Sequence, residues 1–343
     1  MAATILAPGN NSKAAASRAG GGLLGNVNEM ILAVALLGLL VVLLVPLPPL
    51  VLDMLLALNL SFTLIIMLIT LSAGQPLDFS VFPSILLLST LYRLALNVAT
   101  TRLILLNGNA GVIVETFGKV VVGGNLVVGL VIFLILIVIQ FVVITKGASR
   151  ISEVAARFVL DALPGKQMAI DAEMNAGLIN EQEARRRREF LVRETEFHGA
   201  MDGASKFVRG DAVAALVITG INLVGGILIG LSNGMPLLQA TRTYSILTVG
   251  DGLISQIPGL IVATAAAMLV TKASSSASLG DEIRDQVTSS PKPLMVGAAI
   301  LFGLALMPGM PKVPFIALAA ALALGGRLLT LPAAKELPKM DAA

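Results

Sequence analysis

Long apolar runs separated by short polar breaks dominate the chain. Eight stretches, residues 30–48, 50–71, 81–106, 120–145, 212–231, 244–270, 293–307 and 313–331, together take up about half of it. A bilayer core asks for about 20 apolar residues per helix. An open strand in lipid would leave backbone groups unpaired. The pattern therefore predicts an all-α integral membrane protein with about eight transmembrane helices. Pro46, Pro48 and Pro49 lie between the first two runs, where they end one helix and start the next. The seventh run has only 15 residues, short for a crossing, and ends at Met-Pro-Gly-Met-Pro (307–311). That tight turn makes runs seven and eight a hairpin.

Between residues 146 and 210 the pattern changes to eleven basic and ten acidic residues. Ile151, Val154, Ala155, Phe158 and Val159 recur at helical spacing. They predict a short amphipathic helix carrying Arg150, Glu153, Arg157 and Asp161, stopping before Leu163-Pro164-Gly165. A second helix is expected to start at Asn180, with Glu183 as its capping-box partner. Glu181/Arg185, Glu183/Arg187 and Glu189/Arg193 are i,i+4 pairs in the favourable order. This reads as a solvated, self-paired helix or as a contact surface for another protein. Acids cancel bases and no aromatic platform is present, so nucleic acid is not an expected partner. The expected organisation is a disordered cytoplasmic tail (1–29), helices one to four (30–145), a small α-helical cytoplasmic insert (146–210), helices five to eight (211–331) and the start of a linker (332–343).

Composition agrees. Hydrophobic residues make up 56%, charged residues 13%, and mean hydropathy is +0.90, against about 25% charged residues in a soluble domain. With the N-terminus cytoplasmic, eighteen Lys and Arg lie inside and only Lys119, Arg242 and Lys312 outside, the asymmetry the positive-inside rule requires. Without the insert the count is still seven against three. The first run is too long for a cleavable signal peptide, and no small-residue cleavage site follows it. There is no Cys, one His and no Trp, so thiolate chemistry is excluded and a histidine metal site within one chain is not expected. No P-loop, HExxH or nucleophile elbow occurs. The expectation is a non-enzyme without cofactor or metal.

Charges inside apolar runs cost at least ~2.5–3.5 kcal/mol each and so carry functional hypotheses. Arg93 lies near the middle of run three, and Asn97, four residues on, shares its face. Arg102, nine residues on, points about half a turn away and can snorkel at the outer end. Arg93 needs an acidic or carbonyl partner, either to lock helices together or to serve transport. Asp251 sits in Thr-Val-Gly-Asp-Gly-Leu-Ile-Ser-Gln-Ile-Pro-Gly (248–259). Its glycines and Pro258 suggest a locally broken helix of the kind that lines ion sites. Its carboxylate either exchanges a proton or pairs with an arginine such as Arg93. Asp211 is expected at the N-terminus of span five, as a helix-dipole cap or as a carboxylate at the cytoplasmic mouth. Asp53 reads as interfacial, and Asn59, Asn125, Gln140 and Asn222 read as interhelical hydrogen-bonders. The sole histidine, His198, reads as solvated or locally paired.

Several stretches carry a resemblance. Arg93-Leu-Ala-Leu-Asn-Val-Ala-Thr-Thr-Arg102 resembles the signature of the flagellar and type III secretion export-gate proteins, the FHIPEP family. So do Thr145-Lys-Gly-Ala-Ser-Arg-Ile-Ser-Glu-Val-Ala-Ala-Arg-Phe-Val-Leu-Asp161, Pro164-Gly-Lys-Gln-Met-Ala-Ile-Asp171, Asn175-Ala-Gly-Leu178 and Gly199-Ala-Met-Asp-Gly-Ala-Ser-Lys-Phe-Val-Arg-Gly-Asp211. The resemblance covers about 23 to 335, and the wording before Asp211 is similar to the flagellar branch. It implies a homo-oligomeric ring, a nonamer in the family, in the bacterial inner membrane with both termini cytoplasmic. It implies coupling of proton motive force to export of unfolded flagellar subunits. The implied partners are other export-gate membrane subunits, the basal-body ring and the export ATPase complex. By motif match, Arg150, Arg157, Asp161, Lys206, Asp211 and Asp251 would serve ion or proton coupling, the Asp211 equivalent being regarded as proton-responsive. Arg93, Asn97 and Arg102 form the intramembrane polar set. In the family a large soluble domain receiving substrates and chaperones follows span eight. The chain ends at Ala343 after Pro-Ala-Ala-Lys-Glu-Leu-Pro-Lys, so it reads as the membrane half of a longer protein. His198 stands where Tyr is common in the family. Without the resemblance, the intramembrane charges favour a small-solute transporter or ion channel, and a passive ring scaffold is the third reading.

Overall fold

A computed structural model describes residues 24–272, 280, 291–307 and 311–330, and among these every regular element is helical. Two compact units are formed, one within 1–70 and 79–271, the other within 71–78 and 272–343. Among the described residues, five helices are long and apolar enough to cross a membrane. They correspond to the predicted spans two to six. Ala33–Leu44 and Pro291–Ala305 are apolar but shorter than a span, so the expected eight are met only in part. The tail residues 1–23 and the linker 331–343 lie outside the described residues.

In the first unit, α1 (Leu24–Leu44) is followed by α2 (Pro49–Ser72) and α3 (Phe82–Asn107). The tail assigned to 1–29 thus gives way to helix at Leu24. Pro49 is the first residue of α2, where its missing N–H costs nothing. Gly108, in the left-handed region at φ 60°, ends α3. Next comes α4 (Val112–Val122), an 11-residue helix that fills most of the break between the third and fourth apolar runs. Gly123 and Gly124 (φ 52° and 86°) end it. Asn125 then caps α5 (Leu126–Val142), accepting hydrogen bonds from Val127 N and Val128 N at 3.1 and 3.3 Å. Span four therefore starts at Leu126 rather than at 120. Asn125 is a local cap, not an interhelical bridge.

The chain runs on through a π-helical turn (Val143–Ala148) into α6 (Ser149–Asn175). Contrary to expectation, α6 does not stop before Leu163; Pro164 lies inside it. Proline removes one helix hydrogen bond, and the neighbouring hairpin contacts carry the helix past it. Gly177 (φ 72°) and Leu178, whose N–H reaches Glu173 O at 3.0 Å, close the turn. Asn180 Oδ1 accepts from Glu183 N at 2.8 Å and starts α7 (Glu181–Ser232). Asn180 caps as predicted, whereas the Glu183 carboxylate accepts from Arg187 at 3.1 Å, and α7 is a single 52-residue helix that contains both the second insert helix and span five.

Ile170, Ala184 and Leu191 form the apolar centre of the α6–α7 hairpin. Lys166–Glu194 (3.1 Å), Arg187–Glu173 (2.7 Å) and Arg188–Asp171 bind it across. Of the predicted pairs along α7, Glu183–Arg187 forms (3.1 Å), whereas Arg185 pairs with Glu189 (3.1 Å) and Arg193 turns to the Glu189 carbonyl. Towards the membrane, α6 meets α7 through small residues, with Ser205 donating to Ser152 at 2.9 Å. Ile151 and Phe158 of the predicted apolar stripe are exposed instead.

Finally α8 (Leu237–Thr271) is continuous through Gly250, Gly252, Pro258 and Gly259, so the expected break is absent. The glycines serve contact rather than bending. Any Cβ on Gly250 would overlap the Val114 carbonyl and approach Gly118 N to 3.0 Å, and one on Gly118 would overlap the Ile246 carbonyl. Backbone of α4 and α8 is thus in direct contact. On α7, Gly226 and Gly230 receive the ring of Tyr244. Leu52, Leu56, Leu96, Ala99, Leu103, Tyr244 and Leu247 make the core where α2, α3 and α8 meet. In the second unit, α9 (Pro291–Ala305) and α10 (Lys312–Thr330) pack on each other as the predicted hairpin, with room for Met295 over Gly326.

Candidate functional site: a polar ladder on three helices

On α3, Arg93, Asn97 and Thr100 follow the i, i+4, i+7 rule and share one face. On α7, Asp211 and Asn222 are eleven residues apart, about three turns, and share a face too. On α8, Asp251, Ser255 and Gly259 are spaced by four. Packing of α3, α7 and α8 brings the three faces together. The ionised groups are deep, with Arg93 5%, Asp211 6% and Asp251 4% exposed.

The first rung is the ion pair in which Arg93 Nη2 donates to Asp211 Oδ2. Arg93 is therefore partnered by Asp211, not by Asp251. Asp211 lies well inside α7, so it does not cap a helix N-terminus. The second rung joins Ser255 Oγ to Asn97 Oδ1 at 2.6 Å, with the Asp251 carbonyl 2.9 Å from the same hydroxyl. The third is Asn222 Nδ2 donating to Asp251 Oδ2 at 2.9 Å, with Thr100 beside that carboxyl. Among the described residues, Oδ1 of Asp211 and Oδ1 of Asp251 have no hydrogen-bond partner. A small cavity of about 20 Å³, lined by Asn97, Gln140, Thr219, Asp251, Ser255 and Gln256, adjoins the lower rungs. It has room for about one water.

Burying an ion costs several kcal/mol, which a well-placed partner offsets. The first rung meets that condition with opposite charges. The third rung surrounds a carboxyl with neutral amide and hydroxyl groups. Such a carboxyl can hold a charge, accepting from Asn222, or a proton, in which case the acid also gains a donor. The two states ask for different neighbours.

The remaining site candidates lie elsewhere. Arg102 donates to Leu43 O (3.0 Å) and Leu44 O (2.8 Å), closing the carbonyl end of α1. Arg150 pairs with Glu153 (2.9 Å), Arg157 with Asp161 (3.7 Å) and Lys206 with Asp202 (2.7 Å). All three are local pairs on α6 or α7, and the ladder does not include them. Asp53 accepts from Val112 N (2.9 Å) and Ile113 N (3.1 Å), capping α4 across 59 and 60 residues. His198 is buried, not solvated. Its ring meets Phe197 edge-on at 5.5 Å, and its Nδ1 has no partner among the described residues. Burial holds it below the ordinary histidine pKa, with Glu194 opposing and Lys166 adding to that shift. Two ladder residues, Thr100 and Ser255, carry no reading of their own in the sequence, because each is one polar residue in an apolar run.

The family model described as the FHIPEP family matches residues 39–342. The chain is 52% identical over 300 residues to the flagellar biosynthesis protein FlhA of Bacillus subtilis, covering 87% of this chain and 44% of that protein. It is 49% identical over 310 residues to the low calcium response locus protein D of Yersinia pestis, covering 90% and 44%. It is 51% identical over 310 residues to the harpin secretion protein HrpI of Erwinia amylovora, covering 89% and 43%. The chain spans less than half the length of these curated relatives. No solved structure matches.

Proposed function

Because the chain belongs to the FHIPEP family, we propose that it is the membrane part of a flagellar type III protein export gate, and that its polar ladder couples proton movement to export. The observation that carries this reading is the meeting of Arg93, Asp211 and Asp251 at one interface of three uninterrupted helices. Two carboxyls with unpartnered oxygens stand along one path, one against a cation and one against neutral groups. A proton arriving at Asp211 weakens its hold on Arg93, and α7 carries that change directly into the insert.

The excess of basic residues in the predicted cytoplasmic segments supports an inner-membrane protein with both termini inside. The Gly-Ala-Ser-Lys-Phe-Val-Arg-Gly-Asp wording (203–211) supports the flagellar branch. The flagellar biosynthesis, low calcium response locus and harpin secretion relatives are nearly equal in identity, so type III export is the broader part of this reading. The ring, its fellow membrane subunits, the basal body, the export ATPase complex and the docking of substrates and chaperones on further domains belong to the proposal, as does the absence of enzymatic chemistry. A passive ring scaffold is the second reading, favoured by the fully formed Arg93–Asp211 pair, which would also serve as a lock.

The deciding measurement is proton flux into pH-gradient liposomes containing this chain, with Asp211→Asn and Asp251→Asn compared with wild type and ring size checked in parallel. Flux in wild type that one substitution stops, with assembly intact, supports the ion path. Rings that form without any flux in wild type favour the scaffold. Loss of assembly together with flux assigns the carboxyls to structure.

A further inference from the structure

Gly259 lies two turns beyond Gly252 on α8, on the face turned to the ladder. A Cβ built there would overlap Arg93 Nη1, and would stand 3.3 Å from Arg93 Cζ and 3.5 Å from Gln140 Nε2. The other amino group of the same guanidinium, Nη2, holds Asp211. One planar, rigid fork thus has one prong on the Asp211 carboxylate and the other in the notch left by a missing side chain. The two ends of the fork cannot move independently. A side chain in the notch must shift this end of Arg93, whose other prong Asp211 holds.

We propose that Gly259 is the positioning residue for the Arg93–Asp211 pair: its bare backbone is the seat that fixes the guanidinium against Asp211. The proposal rests on the reading of that pair as part of the coupling path. Its geometric content, a contact between Gly259 and one atom of Arg93, stands separately. Two features distinguish this from ordinary close packing. The crowding atom belongs to a charged group, whereas at Gly250 it is backbone and at Gly252 an aromatic ring. In addition, Ala is the better helix former, so without the contact Gly259→Ala would strengthen α8 rather than harm it.

The test is a double-substitution cycle in the full chain, using Gly259→Ala, Arg93→Lys and both together. Lysine keeps the positive charge but has no second prong to meet the new methyl group. The expected result is that Gly259→Ala alone lowers proton flux roughly 10- to 100-fold, as misplacement of a reacting group by about 1 Å does, and shifts the pH at which flux is half-maximal, while ring size is kept. In the Arg93→Lys background, Gly259→Ala is expected to change flux and pH midpoint little. Thermal unfolding of the same four chains is expected to show the same pattern, a loss of a few degrees from Gly259→Ala that vanishes beside lysine. Wild-type behaviour of Gly259→Ala, or an equal loss in both backgrounds, overturns the proposal. If wild type itself carries no flux, the coupling reading fails, and the unfolding cycle alone decides whether Gly259 seats Arg93.

Discussion

Arg93 and Asp211, 118 residues apart in the chain, form one buried ion pair that ties α3 to the middle of α7. Among the described residues this is the ion pair that each of them makes, so each depends on the other for its place in the interior. Removing one leaves the other as an uncompensated buried charge. Asp211→Asn is expected to destabilise the chain by about 3–5 kcal/mol, whereas removing both charges with Arg93→Met and Asp211→Leu is expected to cost far less. Thermal unfolding in detergent of the single and double variants measures this. Equal losses in single and double variants would show that the pair acts through packing and not through charge.

The short helix α4 depends on a residue of another helix. Asp53 reaches from α2 to the first amides of α4 at Val112 and Ile113. Asp53→Ala is expected to cost about 1 kcal/mol, the usual loss of a helix N-cap, and Asp53→Asn less. Hydrogen exchange at residues 112–115 reads the effect directly, with faster exchange expected there and unchanged exchange in α6.

Contact between α4 and α8 tolerates no side chain at Gly118 or Gly250, because the crowding atoms are backbone. Gly250→Ala is expected to push the two helices apart and destabilise by about 1–3 kcal/mol. Gly203→Ala, on α7 with nothing within 4 Å of the new Cβ, is expected to be neutral or to stabilise by about 0.5–1 kcal/mol, as Ala does in a helix interior. Unfolding temperatures of the two variants should therefore move in opposite directions. A Gly250→Ala chain as stable as wild type would show that α4 can shift freely.

His198 gives the insert a pH response. Its burial against Phe197 favours the neutral ring and holds the pKa below the ordinary value of 6.5. The unfolded chain therefore binds the proton more readily than the folded one. The contribution of this residue to stability is complete above about pH 6.5, and it is lost as pH falls below that value through the folded pKa. His198→Phe keeps an aromatic ring beside Phe197 and is expected to flatten the change. Urea unfolding followed at insert residues between pH 5 and 8 tests this, and an unchanged pH slope in the variant would assign the response to other groups.

Much of the helical layout was readable from residues alone, because apolar runs, caps and i,i+4 charges are local signals. Asn180 with Glu183, the shared face of Arg93 and Asn97, and the hairpin of α9 and α10 follow from such spacing. What stayed hidden depends on neighbours distant in sequence. A glycine gives either backbone freedom or the absence of a side chain, and sequence does not distinguish the two. Gly250, Gly252 and Gly259 suggested a break, while each in fact makes room for another element. Asp211 sat at a change from charged to apolar composition, which suggested a helix start. Its α-helical neighbours on both sides instead carry α7 straight through. Ile151 and Phe158 had the period of a buried stripe, yet the hairpin closes on the adjacent face at Ser152 and Ser205, about 100° around the helix.

The unbroken course of α7 has a mechanical consequence. At 1.5 Å per residue its 52 residues make a shaft about 78 Å long. The shaft has no internal proline and carries Asp211 and Asn222 along its length. The helix runs without a break from the insert residues into the apolar run, so a rigid tilt of the insert end moves Asp211 and Asn222 with it. Such a tilt loads the Arg93–Asp211 pair and the Asn222–Asp251 bond, and loss of either bond frees the same rod. Two distant bonds and the insert hairpin are thereby joined on one lever.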